Sequence, residues 1–162
     1  MLKRTMLSWL ELKLPPAVVW GLCALLMYLT AQSVPKLAIE RAPLPLQLVL
    51  AAVLALVGIG IMGAGVFALY QARTTPNPLA PHTTRWLVTT GVYRYSRNPI
   101  YLGMLCCLLA WAVWLAHLLA LVYVWLFAVY LTRFQIKPEE RALRQKFGEA
   151  YETYARSVRR WI

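Results

Sequence analysis

The sequence predicts an all-α membrane protein, a polytopic bundle of about four transmembrane helices with an amphipathic C-terminal helix at the membrane interface. Hydrophobic residues make up 60% of the 162-residue chain and charged residues only 14%, whereas globular proteins carry about 25% charged residues. The apolar residues also form runs long enough to cross a bilayer, which takes about 20 residues per helix. A chain of this length fits a single membrane domain, residues 1–162.

Four membrane spans are predicted in order along the chain. The first covers residues 16–34, and a proline-containing loop separates it from the second, residues 46–70. A later apolar run continues for about thirty residues, which is too long for one comfortable crossing. We therefore predict a tight helical hairpin of two short spans, residues 100–116 and 117–135, with its turn near His117.

The distribution of positive charge predicts the orientation. With a cytoplasmic N-terminus, fifteen of the seventeen Lys and Arg residues lie on the cytoplasmic side, and only Lys36 and Arg41 face outward. The positive-inside rule then predicts that both termini are cytoplasmic, and the compact size and charge bias favour a bacterial inner membrane. Because the basic residues flank apolar spans, the net charge of +11 fits contact with anionic lipid headgroups and argues against a nucleic-acid partner.

The C-terminal segment is not predicted to cross the membrane. Apolar residues recur in it at helical spacing while Arg, Lys and Glu cover the other face. Pro138 suits the first turn of such a helix. We therefore predict one amphipathic helix lying against the membrane or the bundle, with an apolar stripe formed by Leu143, Phe147, Ala150, Tyr154 and Val158.

Two apolar features are predicted to serve packing rather than chemistry. Residues 58–65, "GIGIMGAG", contain a G-x-G-x-x-G pattern, but that pattern indicates dinucleotide binding only between a strand and a helix. Inside a membrane span, small residues instead allow helices to approach closely. The three cysteines also lie in apolar spans and fit neither a disulfide framework nor a metal site, so no metal is predicted.

Polar residues concentrate at the predicted cytoplasmic end, in "TTGVYRYSRNPIYLG", residues 89–103. Structural roles alone explain each of them: helix capping by Asn98, an aromatic belt of tyrosines, and arginines that reach lipid headgroups. Glu139 and Glu140 likewise suit the first turn of a helix. However, these two carboxylates straddle the apolar stripe of the C-terminal helix, so both can face the bundle. Carboxylates near a membrane core need a cationic ligand or a partner such as Arg97.

The motifs "LVTTGVYRYSRNPIYLG" and "EERALRQKFGEAYETYARSVRRW", separated by the predicted hairpin, resemble a known family over residues 87–161. The family comprises integral membrane methyltransferases, including isoprenylcysteine carboxyl methyltransferase and the phospholipid (phosphatidylethanolamine) methyltransferases. The resemblance implies S-adenosylmethionine as cofactor, held in a cytosol-facing pocket built from residues 82–161. It assigns the following residues to the cofactor: Leu87, Val88, Gly91, Tyr93, Arg97, Asn98, Pro99, Tyr101, Glu139 and Glu140.

Arg133 lies near a family arginine that is assigned to the substrate, and no residue is assigned to catalysis. Asn98 stands where isoprenylcysteine enzymes usually have histidine, and Gly91-Val92-Tyr93 stands where phospholipid enzymes often have Gly-x-Gly. An amide still forms hydrogen bonds but does not titrate. Both departures bear on the substrate rather than on the cofactor.

The resemblance thus implies methyl transfer to a lipophilic acceptor, taken from the bilayer through a gap between helices at the cytoplasmic face. A lipid amine, an isoprenyl-type thiol and a carboxylate all remain candidates for that acceptor. The cofactor carries sulfonium and ammonium charges, for which buried carboxylates are suitable counter-charges. Two alternatives are a membrane reductase of related architecture, which would bind a nicotinamide cofactor, and a non-enzymatic membrane assembly module.

Overall fold

The computed structural model of the protein describes residues 11–34, 43–74, 79 and 83–162. Four residues whose side of the membrane was predicted lie outside the described residues: Lys3, Arg4, Lys36 and Arg41. His82, where the predicted cofactor-binding part begins, also lies outside them. All regular elements in the described ranges are helical. The helices are α1 (Pro16–Ser33), α2 (Leu44–Gln71), α3 (Pro99–Leu115), α4 (Leu118–Tyr130), α5 (Lys137–Phe147) and α6 (Glu149–Ser157), with a 3₁₀ turn at Gly91–Arg94 and a π-helical segment at Leu131–Ile136.

The predicted all-α membrane class is confirmed. In the described part of the chain, three helical segments are long and apolar enough to cross a membrane: Pro16–Ser33, Leu44–Gln71 and Leu118–Phe147. Helix α3 is a shorter apolar helix. Large apolar side chains such as Leu56 and Phe67 of α2 are more than half exposed. A water-soluble fold would bury a helix this apolar, so these side chains are placed to face lipid.

Helices α2 and α3 form the closest helix pair. Added Cβ atoms would stand 2.7 Å (on Gly58) and 2.5 Å (on Gly103) from the carbonyl oxygen of the facing glycine. An added Cβ on Gly65 would similarly lie 2.9 Å from Ile100. The predicted packing role of "GIGIMGAG" is therefore confirmed for Gly58 and Gly65, which permit backbone contact that larger residues would prevent.

The turn between α3 and α4 also holds the end of α1. Ala116 adopts a left-handed conformation, with φ of 47°, and α4 begins after His117. The His117 side chain is buried, and its Nε2 lies 2.9 Å from the carbonyl oxygen of Val34. This contact ties the end of α1 to the α3–α4 turn.

The C-terminal helix differs from the prediction in two respects. Pro138 lies in the first turn of α5, as predicted, but α5 is not a separate helix because α4 continues into it through the π-helical segment. Proline has no N–H to donate to the carbonyl four residues earlier, and the Phe134 carbonyl instead accepts a hydrogen bond of 3.1 Å from the Leu12 N–H. The freed backbone acceptor is thereby satisfied.

The predicted single amphipathic helix was wrong in a second respect. Gly148 has φ of +54°, a left-handed conformation that glycine adopts at little cost, and it separates α5 from α6. The predicted stripe is therefore not continuous, since Tyr154 is buried while Ala150 is exposed. The break turns α6 back towards residues 93–97, which places Tyr151 and Tyr154 beside the polar segment.

Candidate functional site

A cavity of about 400 Å³ lies where the polar segment before α3 meets α5 and α6. Nine of the ten residues predicted to hold a cofactor line it. Gly91 is the exception, and its φ of 61° instead begins the 3₁₀ turn that carries Tyr93. The nine lining residues are Leu87, Val88, Tyr93, Arg97, Asn98, Pro99, Tyr101, Glu139 and Glu140.

Two contacts join the start of α3 to the front of α5. The Tyr101 hydroxyl donates a 2.5 Å hydrogen bond to Glu139 Oε1, and Arg97 Nη2 lies 3.1 Å from Glu140 Oε1. These segments are 38 to 43 residues apart in the chain. The two polar clusters seen in the sequence therefore form one site.

Glu139 and Glu140 have different surroundings although they are adjacent. Glu139 Oε1 accepts hydrogen bonds from Tyr101 and from Gln135 Nε2, the latter at 2.8 Å. Glu140 is paired with two guanidinium groups, those of Arg97 and Arg160. Glu139 is thus held by neutral donors, whereas Glu140 is neutralised by cations.

Burial changes the acidity of the Glu139 carboxyl. Glu139 lies in the charged helix α5, beyond the apolar part of the preceding helix. Desolvation raises its pKa to about 7, in opposition to the lowering effect of the hydrogen bonds from Tyr101 and Gln135. At neutral pH the carboxyl is therefore divided between its charged and neutral forms, and a nearby cation would favour the charged form.

Three tyrosines enclose the opposite side of the cavity. The Tyr154 hydroxyl donates a 2.8 Å hydrogen bond to the carbonyl oxygen of Tyr93, which fixes α6 against the 3₁₀ turn. Desolvation raises the pKa of Tyr93 and Tyr154 well above the usual value, and it raises the pKa of Tyr151 to about 12. All three hydroxyls therefore stay neutral at physiological pH, and the single hydrogen of the Tyr154 hydroxyl is already used in its bond to Tyr93.

Arg97 carries a donor that no described residue uses. Its Nη2 pairs with Glu140, and its Nη1 lies 3.5 Å from the Tyr151 hydroxyl. The buried Nε has no acceptor within the described residues. An unpaired buried donor is costly, and the contacts of the two Nη atoms with Glu140 and Tyr151 hold the guanidinium in this position.

Asn98 occupies the predicted N-cap position of α3, but its side chain makes no capping hydrogen bond. Its Nδ2 instead donates a 2.9 Å hydrogen bond to the carbonyl oxygen of Arg160. Asn98 and Pro99 therefore occupy the predicted N-cap and first-turn positions, but the Asn98 amide holds the C-terminal segment in place instead of capping α3.

Arg133 does not line the cavity. Its Nη1 lies 2.6 Å from Glu11 Oε1, and the same carboxylate also pairs with Arg141. Arg133 is therefore not among the residues that line this cavity. Its assignment to the substrate remains a prediction.

Sequence reasoning missed Arg160, which makes two hydrogen bonds to Glu140, from Nε at 2.9 Å and from Nη2 at 2.8 Å. The pair is only visible after folding, because α5 and α6 must first turn about Gly148. Gln135 was missed for a similar reason, since it contacts Glu139 from the preceding turn of the continuous helix.

A second cavity, of about 700 Å³, lies between α1, α2 and α3. Apolar side chains line it almost throughout, including Trp20, Trp111 and Trp114. It shares Ala17 of α1, Met62 of α2 and Met104 of α3 with the polar cavity. One residue from each helix therefore forms the boundary between the two spaces.

Comparison with known proteins adds the following. A family model described as phospholipid methyltransferase matches residues 46–150, more than half of the chain. An uncharacterized protein of Haemophilus influenzae is 44% identical over 63 residues, which are 39% of this chain and 100% of that protein. No solved structure shows a significant match.

Two named enzymes are also similar. A probable protein-S-isoprenylcysteine O-methyltransferase of Oryza sativa subsp. indica is 43% identical over 75 residues, 44% of this chain and 38% of that protein. A Delta(14)-sterol reductase of Mus musculus is 37% identical over 78 residues, 47% of this chain and 18% of that protein. The alignments thus cover less than half of either enzyme.

Proposed function

The chain belongs to the phospholipid methyltransferase family, and from this premise we propose that it transfers a methyl group from S-adenosylmethionine to a lipophilic acceptor at the cytoplasmic membrane face. The observation that supports the proposal is that the start of α3 and the front of α5 meet at the polar cavity. The Tyr101–Glu139 and Arg97–Glu140 contacts bring together the two motifs that the sequence separates by a helical hairpin.

The donors and acceptors in the polar cavity suit this cofactor. Glu139 offers a buried carboxylate for the cationic end of the molecule, and Arg97 contributes its guanidinium group to the same lining. Leu87 and Val88 give an apolar wall, and Tyr93 adds an aromatic surface against which a purine ring fits. When bound, the cofactor supplies an electrophilic methyl group on sulfonium.

Positioning accounts for the catalytic contribution of the protein. Buried tyrosines and apolar side chains exclude water, and the network around Glu139 and Glu140 fixes the orientation of its side chains before any ligand arrives. Orientation of two reactants contributes up to about 7–11 kcal/mol in model systems. For an amine acceptor, the Glu139 carboxylate is suited to receive the proton that the amine must lose.

The apolar cavity is the proposed place for the acceptor. Its boundary with the polar cavity is formed by Ala17, Met62 and Met104, so an apolar chain between α1, α2 and α3 would present its polar end to the cofactor side. The acceptor class remains a lipid amine, an isoprenyl-type thiol or a carboxylate. Mass spectrometry of lipids from cells with and without the gene would identify it as a species heavier by one methylene unit.

Calorimetry with S-adenosylhomocysteine in detergent tests the cofactor assignment. The wild-type protein is expected to bind it, and Glu139→Gln is expected to weaken binding about tenfold, since a hydrogen bond to a charged group is worth roughly 1.5–3 kcal/mol. Glu149→Gln is the matched control, because Glu149 is exposed on α6. Folded wild-type protein that binds no S-adenosylhomocysteine would contradict the proposal.

The similarity to a Delta(14)-sterol reductase keeps a membrane reductase as the second candidate. A nicotinamide dinucleotide carries several phosphate groups, and the buried Glu139 carboxyl, which pairs with no cation in the described residues, is an unfavourable neighbour for them. The same calorimetric experiment with NADPH separates the two functions. Binding of NADPH without binding of S-adenosylhomocysteine would favour the reductase, and binding of neither would favour a non-enzymatic assembly role.

A further inference from the structure

The continuous helix that runs from α4 through the π-helical segment into α5 presents one outward face to the surroundings of the bundle. On α4 this face is apolar, since Val122, Leu126 and Val129 recur every three or four residues and are all exposed. The opposite side of the helix packs inside the bundle, where Phe127 and Leu131 are fully buried. The outward face of α4 is therefore placed against lipid chains.

Beyond α4 the outward face becomes basic. Arg133, Lys137 and Arg141 continue the pattern at intervals of four residues, so they lie on successive turns of the same face. Lys137 and Arg141 are exposed and Arg133 is partly buried, whereas Glu140 is buried on the inward side. The face thus passes from apolar to basic within about two turns, as a protein surface does where lipid chains meet headgroups.

One carboxylate holds the two arginines on this face. Glu11 Oε1 lies 2.6 Å from Arg133 Nη1, and Glu11 Oε2 pairs with Arg141 Nη2. Lys137 lies between the two arginines along the helix and forms no ion pair within the described residues. These four side chains carry a surplus of two positive charges, and Lys13, the charged residue nearest to Glu11 in the sequence, is a further cation.

The described part of the chain contains four other glutamates, and each belongs to a different surface. Glu139 and Glu140 line the polar cavity, on the inward side of α5. Glu149 and Glu152 lie on α6, after the turn at Gly148. The surplus charge on the outward face is therefore left for an anionic group outside the protein.

We propose that Arg133, Lys137 and Arg141 form a binding site for the phosphate of an anionic phospholipid, whose chains lie along the exposed apolar face of α4. Basic side chains close to the membrane surface attract anionic lipid, and the apolar continuation of the face favours a lipid over a soluble anion. The site lies on the side of the helix opposite to Glu139 and Glu140. It is separate from the polar cavity and does not depend on the proposed methyl transfer.

Native mass spectrometry of the full chain in detergent measures this preference directly. Phosphatidylglycerol and phosphatidylcholine with the same two acyl chains differ only in the headgroup, so the ratio of their affinities isolates the effect of charge. The wild-type protein is expected to bind phosphatidylglycerol about 25-fold more tightly, roughly fivefold for each surplus charge. Lys137→Gln should lower this ratio about fivefold, and Lys137→Arg should keep it.

A matched variant separates a local site from a general effect of net charge. Arg156→Gln removes the same charge from an exposed position on α6 and is expected to keep the wild-type ratio. Equal reduction in Arg156→Gln and Lys137→Gln would overturn the site, as would a wild-type ratio near one. Binding of S-adenosylhomocysteine is expected to be the same in Lys137→Gln and wild type, so failure of this inference leaves the proposed function intact.

A water-soluble competitor separates a lipid from a free anion. Glycerophosphoglycerol carries the headgroup of phosphatidylglycerol without its chains. A large excess of it is expected to leave the lipid bound, because the chains contribute their own contacts with α4. Displacement of the lipid by this competitor would assign the three basic residues to a soluble phosphate compound and overturn the lipid assignment.

Discussion

The two cavities share three residues and differ in almost everything else. The polar cavity is built from segments far apart in the chain, namely residues 84–101, α5 and α6 together with parts of α1 and α2, and its walls carry paired charges. The apolar cavity is built from the faces of three helices and has nearly no polar lining. Recognition of a small charged molecule thus depends on long-range contacts, whereas accommodation of an apolar chain depends on helix packing.

This difference also explains how each cavity is held in shape. Hydrogen bonds and ion pairs around Glu139 and Glu140 fix the polar cavity. The apolar cavity is fixed by the glycine contacts of α2 and α3 and by two tryptophans, since Trp20 Nε1 donates to the Met104 carbonyl and Trp111 Nε1 to the Ala24 carbonyl, each at 3.0 Å. A variant can therefore be chosen to affect both cavities, or only one.

Gly103→Ala is expected to have the largest effect because it disturbs the helix pair that both cavities share. Its new Cβ would lie 2.5 Å from the Gly58 carbonyl oxygen, a backbone atom that cannot move alone. Overpacking of this kind costs about 1–3 kcal/mol or more, so thermal unfolding in detergent should shift down and S-adenosylhomocysteine binding should weaken. Gly60→Ala, which meets nothing within 4 Å, is the control, and equal destabilisation by both variants would contradict the packing account.

Ala55→Phe is expected to impair the apolar cavity while leaving the polar cavity intact. The new ring would fill the apolar cavity that Ala55 lines, so methylation of the acceptor should fall on the order of 100-fold, the cost of a small misplacement of a reactant. Affinity for S-adenosylhomocysteine should remain within about twofold of wild type, well inside the tenfold that corresponds to 1.4 kcal/mol. Leu56→Phe, at a lipid-facing position, is the control. Unchanged turnover in Ala55→Phe would contradict the proposal that the acceptor binds in this cavity.

The smallest expected effect is the pH dependence of ligand binding in the polar cavity, which tests the role of Glu139. Burial raises the pKa of Glu139 to about 7, so the carboxyl gains a proton as the pH falls through neutrality. The ammonium group of S-adenosylhomocysteine pairs with the charged form of Glu139, so the affinity for this ligand should fall about tenfold from pH 8 to pH 6. Glu139→Gln should bind weakly with little dependence on pH over this range. An identical pH profile in the variant would assign the titration to another group.

Local sequence patterns predicted the fold class, whereas most residues of the polar cavity were named from the resemblance to a methyltransferase family. Long apolar runs predicted the membrane helices, and the small residues of "GIGIMGAG" predicted close packing, which Gly58 and Gly65 provide. Glu139 and Glu140 were expected to face the bundle because they lie beside the apolar stripe of the helix. That expectation depends only on helical periodicity, which the sequence contains.

The features that the sequence did not predict depend on contacts between distant segments. The continuity of α4 with α5 was not predicted, because nothing near Pro138 shows that the Leu12 N–H would donate to the carbonyl of Phe134. Arg160 was missed because its pairing with Glu140 requires both the Gly148 turn and the hydrogen bond from Asn98. Gly148 within a helical pattern was the available signal for the break.

Direct ultraviolet cross-linking of radiolabelled S-adenosylmethionine, followed by peptide mapping, tests the central claim that the start of α3 and the front of α5 enclose one cofactor. The account predicts label on peptides from residues 84–101 and 137–154, and its loss on competition with S-adenosylhomocysteine. Label confined to α4, which contributes no residue to the polar cavity, or label that does not respond to the competitor, would contradict it.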